Sequence, residues 1–138
     1  MKEKDIQNSC LDWLEAHGIL CKQIDTVGIY DAKKKIYRKK MGRHNRGTSD
    51  IWAVANGRSL AIECKTEYNY LRDDQVKFLL DHALAGGISL VVRSIEDLEA
   101  GLKHFEQDLF HPWQPASDGK VKIWSRKLAR DFKGVKLC

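Results

Sequence analysis

One dipeptide constrains this chain more than any other feature. Asn56-Gly57 lies between two strand-like runs, Ser49 to Ala55 (SDIWAVA) and Ser59 to Lys65 (SLAIECK). A two-residue type I′ loop needs positive φ at both positions, which Asn and Gly tolerate best, so the pair specifies a tight hairpin. Taken literally, that loop sets Ala55 against Arg58, Val54 against Ser59 and Ile51 against Ile62. One step further, Asp50 falls opposite Glu63. Directly opposed residues share a face, with Cβ atoms about 4.5–5.5 Å apart. Lys65, two residues past Glu63, shares that face too. Two acids and a lysine therefore converge on one patch of sheet.

Opposed carboxylates repel and weaken the pairing that carries them. Two arrangements relieve the repulsion. In one, Lys65 neutralises Asp50 and Glu63 as a salt bridge on a wet sheet face. In the other, a divalent cation turns repulsion into coordination. Ligation by one or two carboxylates plus water suits Mg²⁺ or Mn²⁺. The peptide carbonyl of Cys64 is then a further candidate ligand, and Lys65 is placed to orient a water or stabilise charge at a phosphate. A β-bulge would shift the register on which both arrangements rest.

The rest of the chain supplies a scaffold. Ile6, Cys10, Trp13, Leu14 and His17 recur at helical spacing, which predicts a helix over about 3–17 stopped by Gly18. Leu20 to Ile24 reads as a short strand, and Ile29, Tyr30, Ile36 and Tyr37 as a basic hairpin turning near Asp31 to Lys34. A helix is expected over about 73–85, with Val76, Leu79, Leu80 and Ala83 as its stripe and Gly86-Gly87 as its end. Ile88 to Arg93 is a near-continuous apolar run, as in a buried strand. Ser94 caps a helix running to about Gln107. Val121 to Trp124 reads as one more strand, before a basic and partly helical end. The order predicts an α/β fold, a mixed β-sheet flanked by helices.

Charge is unevenly spread. Residues 33–46 hold eight Lys/Arg and no acid, and residues 119–138 hold seven Lys/Arg and Asp131 as their one acid. Elsewhere nine basic residues face eighteen acidic ones. Such segments suit phosphate contacts, and equally suit a solvated loop and tail. No apolar run approaches the ~20 residues of a membrane helix, and the charged N-terminus leads into no signal-type stretch. The expectation is a cytoplasmic protein. Cys10, Cys21, Cys64 and Cys138 form no C-x-x-C pair, which argues against a zinc cage and for reduced thiols.

At the hairpin the sequence resembles the VRR-NUC family of the PD-(D/E)xK nuclease superfamily. The resemblance is carried by Gly47-Thr48-Ser49-Asp50-Ile51, then Ile62-Glu63-Cys64-Lys65. Leu71 and Gln75 fit the family's Leu and helix-opening Gln, and Gly86-Gly87-Ile88 through Ser94 fit its turn and return strand. Glu3, ahead of Ile6-Gln7, fits its N-terminal acid. The likeness spans roughly residues 3–103. Ser49 stands where a Pro often precedes the Asp, and Cys64 where an aliphatic residue is usual.

The resemblance implies a restriction-endonuclease-like core over residues 1–107; it says little about the tail, and 108–138 is read as a small basic extension packed on the same domain. It implies Asp50 and Glu63 as ligands of Mg²⁺ or Mn²⁺ and Lys65 as the residue that positions water or stabilises charge. Glu3 and Gln75 become further members of the active site. Helix capping and the helix dipole are their ordinary alternatives. The implied activity is a DNA endonuclease acting on branched or structured DNA, Holliday junctions included. A homodimer follows from the two-fold symmetry of a junction. The compact form suits a phage or mobile element, in a bacterial or phage-infected host cell.

Lys39, Lys40, Arg43, His44 and Arg46 precede the motif and are candidate phosphate contacts. Tyr68 and Tyr70 are expected to pack against the sheet rather than stack on bases, and Trp52 and Trp124 to serve core or interface. The competing function is a non-catalytic nucleic-acid-binding module that uses the basic segments and keeps the acids for structure.

Overall fold

A computed structural model describes residues 2–24, 29–31, 36–38, 47–110 and 120–135. The hairpin forms as its turn chemistry demands. Asn56 and Gly57 take φ of 51° and 82°. They join β4 (Ile51–Ala55) to β5 (Arg58–Cys64) in the register the loop predicts, from Ala55↔Arg58 to Ile51↔Ile62. Around this pair the chain builds one mixed sheet. Its outer antiparallel strand is β1 (Leu20–Gln23), beside β4; β6 (Ile88–Val92) and β7 (Lys122–Ser125) follow parallel to β5, giving the order β1-β4-β5-β6-β7. A separate two-stranded ladder pairs β2 (Ile29–Asp31) with β3 (Ile36–Arg38). The expected basic hairpin thus has its strands, while residues 32–35 and 39–46 lie outside the described residues.

Both sheet faces are covered, which explains why β6 is buried at all five positions. On one face lie α1 (Glu3–Ala16) and α3 (Ile95–His104). Ile6, Cys10, Leu14, Leu98 and Leu102 pack there on Ile51, Leu60, Ile62, Cys64 and Leu90. The other face carries α2 (Asp73–Leu84), whose Leu79 and Ala83 meet Ala61, Val91 and Ile123. Alternation along β5 therefore sends Ile62 and Cys64 to the α1/α3 side and Ala61 and Glu63 to the α2 side. The helix expected from Ser94 to Gln107 is broken. Ser94 Oγ does accept from Asp97 N at 3.1 Å, but α3 ends at His104 and a short α4 (Glu106–Leu109) follows. The break at Phe105 lets both Phe105 and Leu109 turn into the core. Among the described residues no helix is long and apolar enough to cross a membrane. Cys10, Cys21 and Cys64 are unbridged thiols.

The C-terminal segment belongs to this architecture. Beyond β7, the single turn α5 (Leu128–Asp131) brings Asp131 to Arg93 at the end of β6. The two side chains are 0% exposed and joined by a two-pronged bond of 2.8 and 2.7 Å. Ser125 Oγ donates to the same carboxylate, and Arg93 also donates to the Asn69 carbonyl at 3.0 Å. Removing one partner of a buried pair strands the other charge. Asp131→Ala is therefore expected to destabilise by about 3–5 kcal/mol in urea unfolding. Lys77→Ala, which breaks the exposed Lys77–Asp81 pair at 2.7 Å, should cost no more than about 0.5 kcal/mol. Equal losses for the two variants would contradict this account.

Candidate functional site

Asp50 lies one residue beyond the last paired position of β4 and is fixed by two bonds. Its carbonyl accepts from Ile24 N at 2.8 Å, and its Oδ2 accepts from the peptide N–H of Cys64 at 2.8 Å. The carboxylate thus caps β5 where the ladder stops. The approach to Asp50 depends on Gly47, which is buried at φ +78°. A Cβ there would stand 2.3 Å from the carbonyl oxygen of Asp74. The glycine lets this segment lie against the first turn of α2, next to Gln75.

Glu63 is 1% exposed. Gln75 Nε2 donates to its Oε1 at 2.9 Å, and Lys65 Nζ stands 4.0 Å from the same oxygen. Glu63 Oε2 is buried with no hydrogen-bond partner. Burial first, and the neighbouring Asp50 charge second, push the Glu63 carboxyl up to about 9, against the pull of Lys65. Asp50 is raised by burial, opposed by the Cys64 N–H. Glu3, at the start of α1, is raised by burial and opposed by Lys65. With no protein donor, Glu63 Oε2 is relieved either by a proton shared with Asp50 or by a cation.

The donor set fits a hard divalent ion. Glu3, Asp50 and Glu63 each offer one carboxylate oxygen, and these lie within 4.8 Å of one another. Oxygens sharing one Mg²⁺ stand at most about 4.2 Å apart, twice the metal–oxygen distance. A few tenths of an ångström of carboxylate rotation closes the difference. The N–H and C=O of one strand residue point to the same side. Since Cys64 N faces Asp50, its carbonyl faces the cluster as well. The Cys64 thiol points into the core, where contact with Cys10 and burial hold its pKa well above the usual value. It fills the place of an aliphatic side chain.

The sequence candidates Glu3, Asp50, Glu63, Lys65 and Gln75 come together. Gln75 does two things at once. Its Oε1 accepts from Arg72 N at 3.0 Å, capping α2, while its amide holds Glu63. Lys39, Lys40, Arg43, His44 and Arg46 lie outside the described residues. The tyrosines differ from expectation: Tyr68 and Tyr70 are 82% and 61% exposed and do not pack on the sheet. They sit in the loop between β5 and α2, which turns them away from both cores. Trp52 is 38% exposed, with its indole N–H donating to Ser59 Oγ, and Trp124 packs against the α1/α3 core.

Two residues near the acids escape sequence reading. The Arg72 charge pulls both Glu3 and Asp50 down, and the Asn69 side chain adds to the pull on Glu3. Neither belongs to a periodic pattern. Their position six and nine residues past Glu63, in the turn that must bring Gln75 back to it, is the signal that points to them. No family model matches this chain, and no curated protein or solved structure matches it.

Two outcomes follow from this geometry. Glu63 ionises near 4.5 when unfolded and near 9 when folded. Between those values the folded, metal-free chain holds a proton that the unfolded chain has released, so stability falls as pH rises. The contribution is complete below about pH 4.5 and lost by about pH 9. In EDTA the Tm should drop across this window, Mn²⁺ should restore it at pH 8, and Glu63→Gln should flatten the slope. A wild-type Tm that shows no such decline in EDTA would mean that Glu63 ionises as in a free chain. Gly47→Ala should lower stability by about 1–3 kcal/mol, from the positive φ and the Asp74 contact.

Proposed function

We propose that this chain is a metal-dependent nuclease hydrolysing phosphodiester bonds in DNA, with a restriction-endonuclease-like core of the VRR-NUC type. One observation carries the reading. Carboxylates from α1, the start of β4 and β5 gather within 4.8 Å, and one of them is buried with an unpartnered oxygen beside the Lys65 ammonium. The Lys65 ammonium stands 4.0 Å from Glu63 Oε1, so the ion pair by itself does not satisfy the buried Oε2.

Asp50, Glu63 and Glu3 hold Mg²⁺ or Mn²⁺, with the Cys64 carbonyl as a further ligand. When bound, that ion lowers the pKa of water and offsets charge at the phosphate. Lys65, locked in the strand by its N–H bond to Val92 O at 3.0 Å, presents its ammonium to the attacking water or to the developing negative charge. Gln75 fixes the rotamer of Glu63, so that the oxygen facing the ion is preset. Branched DNA is the favoured substrate, cut by a homodimer inside the cell, because a two-fold junction matches a two-fold enzyme.

A panel of single-stranded, duplex, flap and four-way-junction DNA, incubated with Mg²⁺ or Mn²⁺, tests the reading. Cleavage of a branched substrate is expected, with none in EDTA. Asp50→Ala and Lys65→Ala should each lower the rate by on the order of 10²-fold or more, while retaining DNA binding. If wild type cuts no member of the panel with either metal, yet binds DNA, the chain is a binding module.

A further inference from the structure

The strand that carries Glu63 and Lys65 runs directly into an exposed loop, residues 66–72, which displays Tyr68 and Tyr70. Single exposed aromatics are ordinary, but this loop is held from below at four successive residues, Glu67 to Tyr70. Arg126 binds the Glu67 carboxylate at 2.6 Å and Lys127 binds it at 3.0 Å. Arg93 donates to the Asn69 carbonyl at 3.0 Å, and Arg130 donates to the Tyr68 carbonyl at 3.3 Å. The Arg130 guanidinium also stacks 3.6 Å from the centre of the Tyr70 ring, and Lys127 Nζ stands 6.0 Å from that of Tyr68. Arg126, Lys127 and Arg130 come from the C-terminal segment, which the fully buried Arg93–Asp131 pair anchors. A cation covers one face of Tyr70, yet the residue remains 61% exposed, so its other face is open to solvent.

We propose that Tyr68 and Tyr70 form a stacking site for unpaired nucleobases, which feeds a single strand or the unpaired arm of a branch into the acidic cluster. The inference rests on the nuclease reading above and adds the substrate class. The distance suits it. Tyr68 follows Lys65 by three residues, a span of at most about 11 Å, so the rings lie within a few nucleotides of a phosphate at the acids. The charge suits it as well. Arg72, with its side chain 67% exposed, closes the far end of the loop, where its solvent-exposed pair with Asp74 at 3.2 Å is weak enough to be exchanged for a phosphate. Every base has a π-face, so two preset rings bind single strands with little regard to sequence. In a duplex those faces are already stacked within the helix, and the platform has nothing to hold.

The test separates this site from the nuclease reading. Binding of a fluorescent 12-nucleotide single strand, and of the fully paired duplex of the same sequence, is measured in EDTA, where no metal-dependent cleavage occurs. The Tyr68→Ala/Tyr70→Ala variant is expected to bind the single strand about 10–100-fold more weakly and the duplex within about 3-fold of wild type. Tyr68→Phe/Tyr70→Phe, which keeps the rings, should retain single-strand binding. Equal loss on both ligands, or no loss on the single strand, overturns the proposal. A wild type that binds single strands through the tyrosines but cuts nothing with Mn²⁺ keeps the stacking site and discards the nuclease. Cleavage of branched DNA by Tyr68→Ala/Tyr70→Ala at the wild-type rate keeps the nuclease and discards the stacking site.

Discussion

Burying a carboxylate in a sheet is costly unless something takes up its charge, and the architecture is arranged around that cost at Glu63. The residue cannot leave the interior, because β5 is the middle strand and is covered by helices on both faces. Its neighbours do not fully satisfy it. Gln75 supplies one hydrogen bond, Lys65 stands at 4.0 Å, and the second oxygen has nothing. Asp50, tied to the Cys64 N–H, stays alongside and adds repulsion. Such arrangements are destabilising in isolation and are retained where function needs them. A hard cation is the simplest group that would convert all three acids from a cost into ligands.

The elements that carry these acids are far apart in sequence and meet through ordinary packing. α1 is held by Ile6, Cys10 and Leu14 on the sheet face that also receives Ile62 and Cys64. That docking sets Glu3, at the free end of the helix, over the end of β5. α2 is held by Leu79 and Ala83 on the opposite face. Its first turn therefore arrives beside Glu63 from the other side, with Gln75 leading. The acids sit where two layers converge at one end of the sheet. The chain that closes this end is the loop clamped by Arg126, Lys127 and Arg130.

Much of this was legible because local rules and tertiary packing agree. Asn56-Gly57 fixed the register to the residue, since type I′ geometry admits no slip without turning every side chain over. The stripe from Ile6 to Leu14 and the apolar run Ile88–Val92 named a helix and a buried strand through simple periodicity. Other parts were hidden for physical reasons. Nothing in the helical pattern after Ser94 marks the break at Phe105, which the core decides by drawing in Phe105 and Leu109 together. Tyr68 and Tyr70 follow a buried strand, and their outward orientation is set by cations some sixty residues away. Contacts of that separation leave no local trace. The site itself was read from two residue pairs, but Asn69 and Arg72 depend on the path of one irregular loop.

The same long-range pairing changes what the C-terminal charge means. In the sequence, Arg126, Lys127 and Arg130 look like part of a phosphate-binding tail. In the fold, Arg126 is divided between Glu67 and Asp97, Lys127 holds Glu67 by its carboxylate and its carbonyl, and Arg130 lies on Tyr70. Cations committed to internal partners contribute little to the release of counterions from a nucleic acid, so a basic run overstates the binding charge it provides. What the segment offers instead is order. Each immobilised ring or carbonyl in the loop is entropy already lost on folding rather than on binding. For the nucleic acid proposed as substrate, charge drawn into scaffolding and rings left bare beside a cluster of acids together favour recognition by stacking over recognition by charge alone.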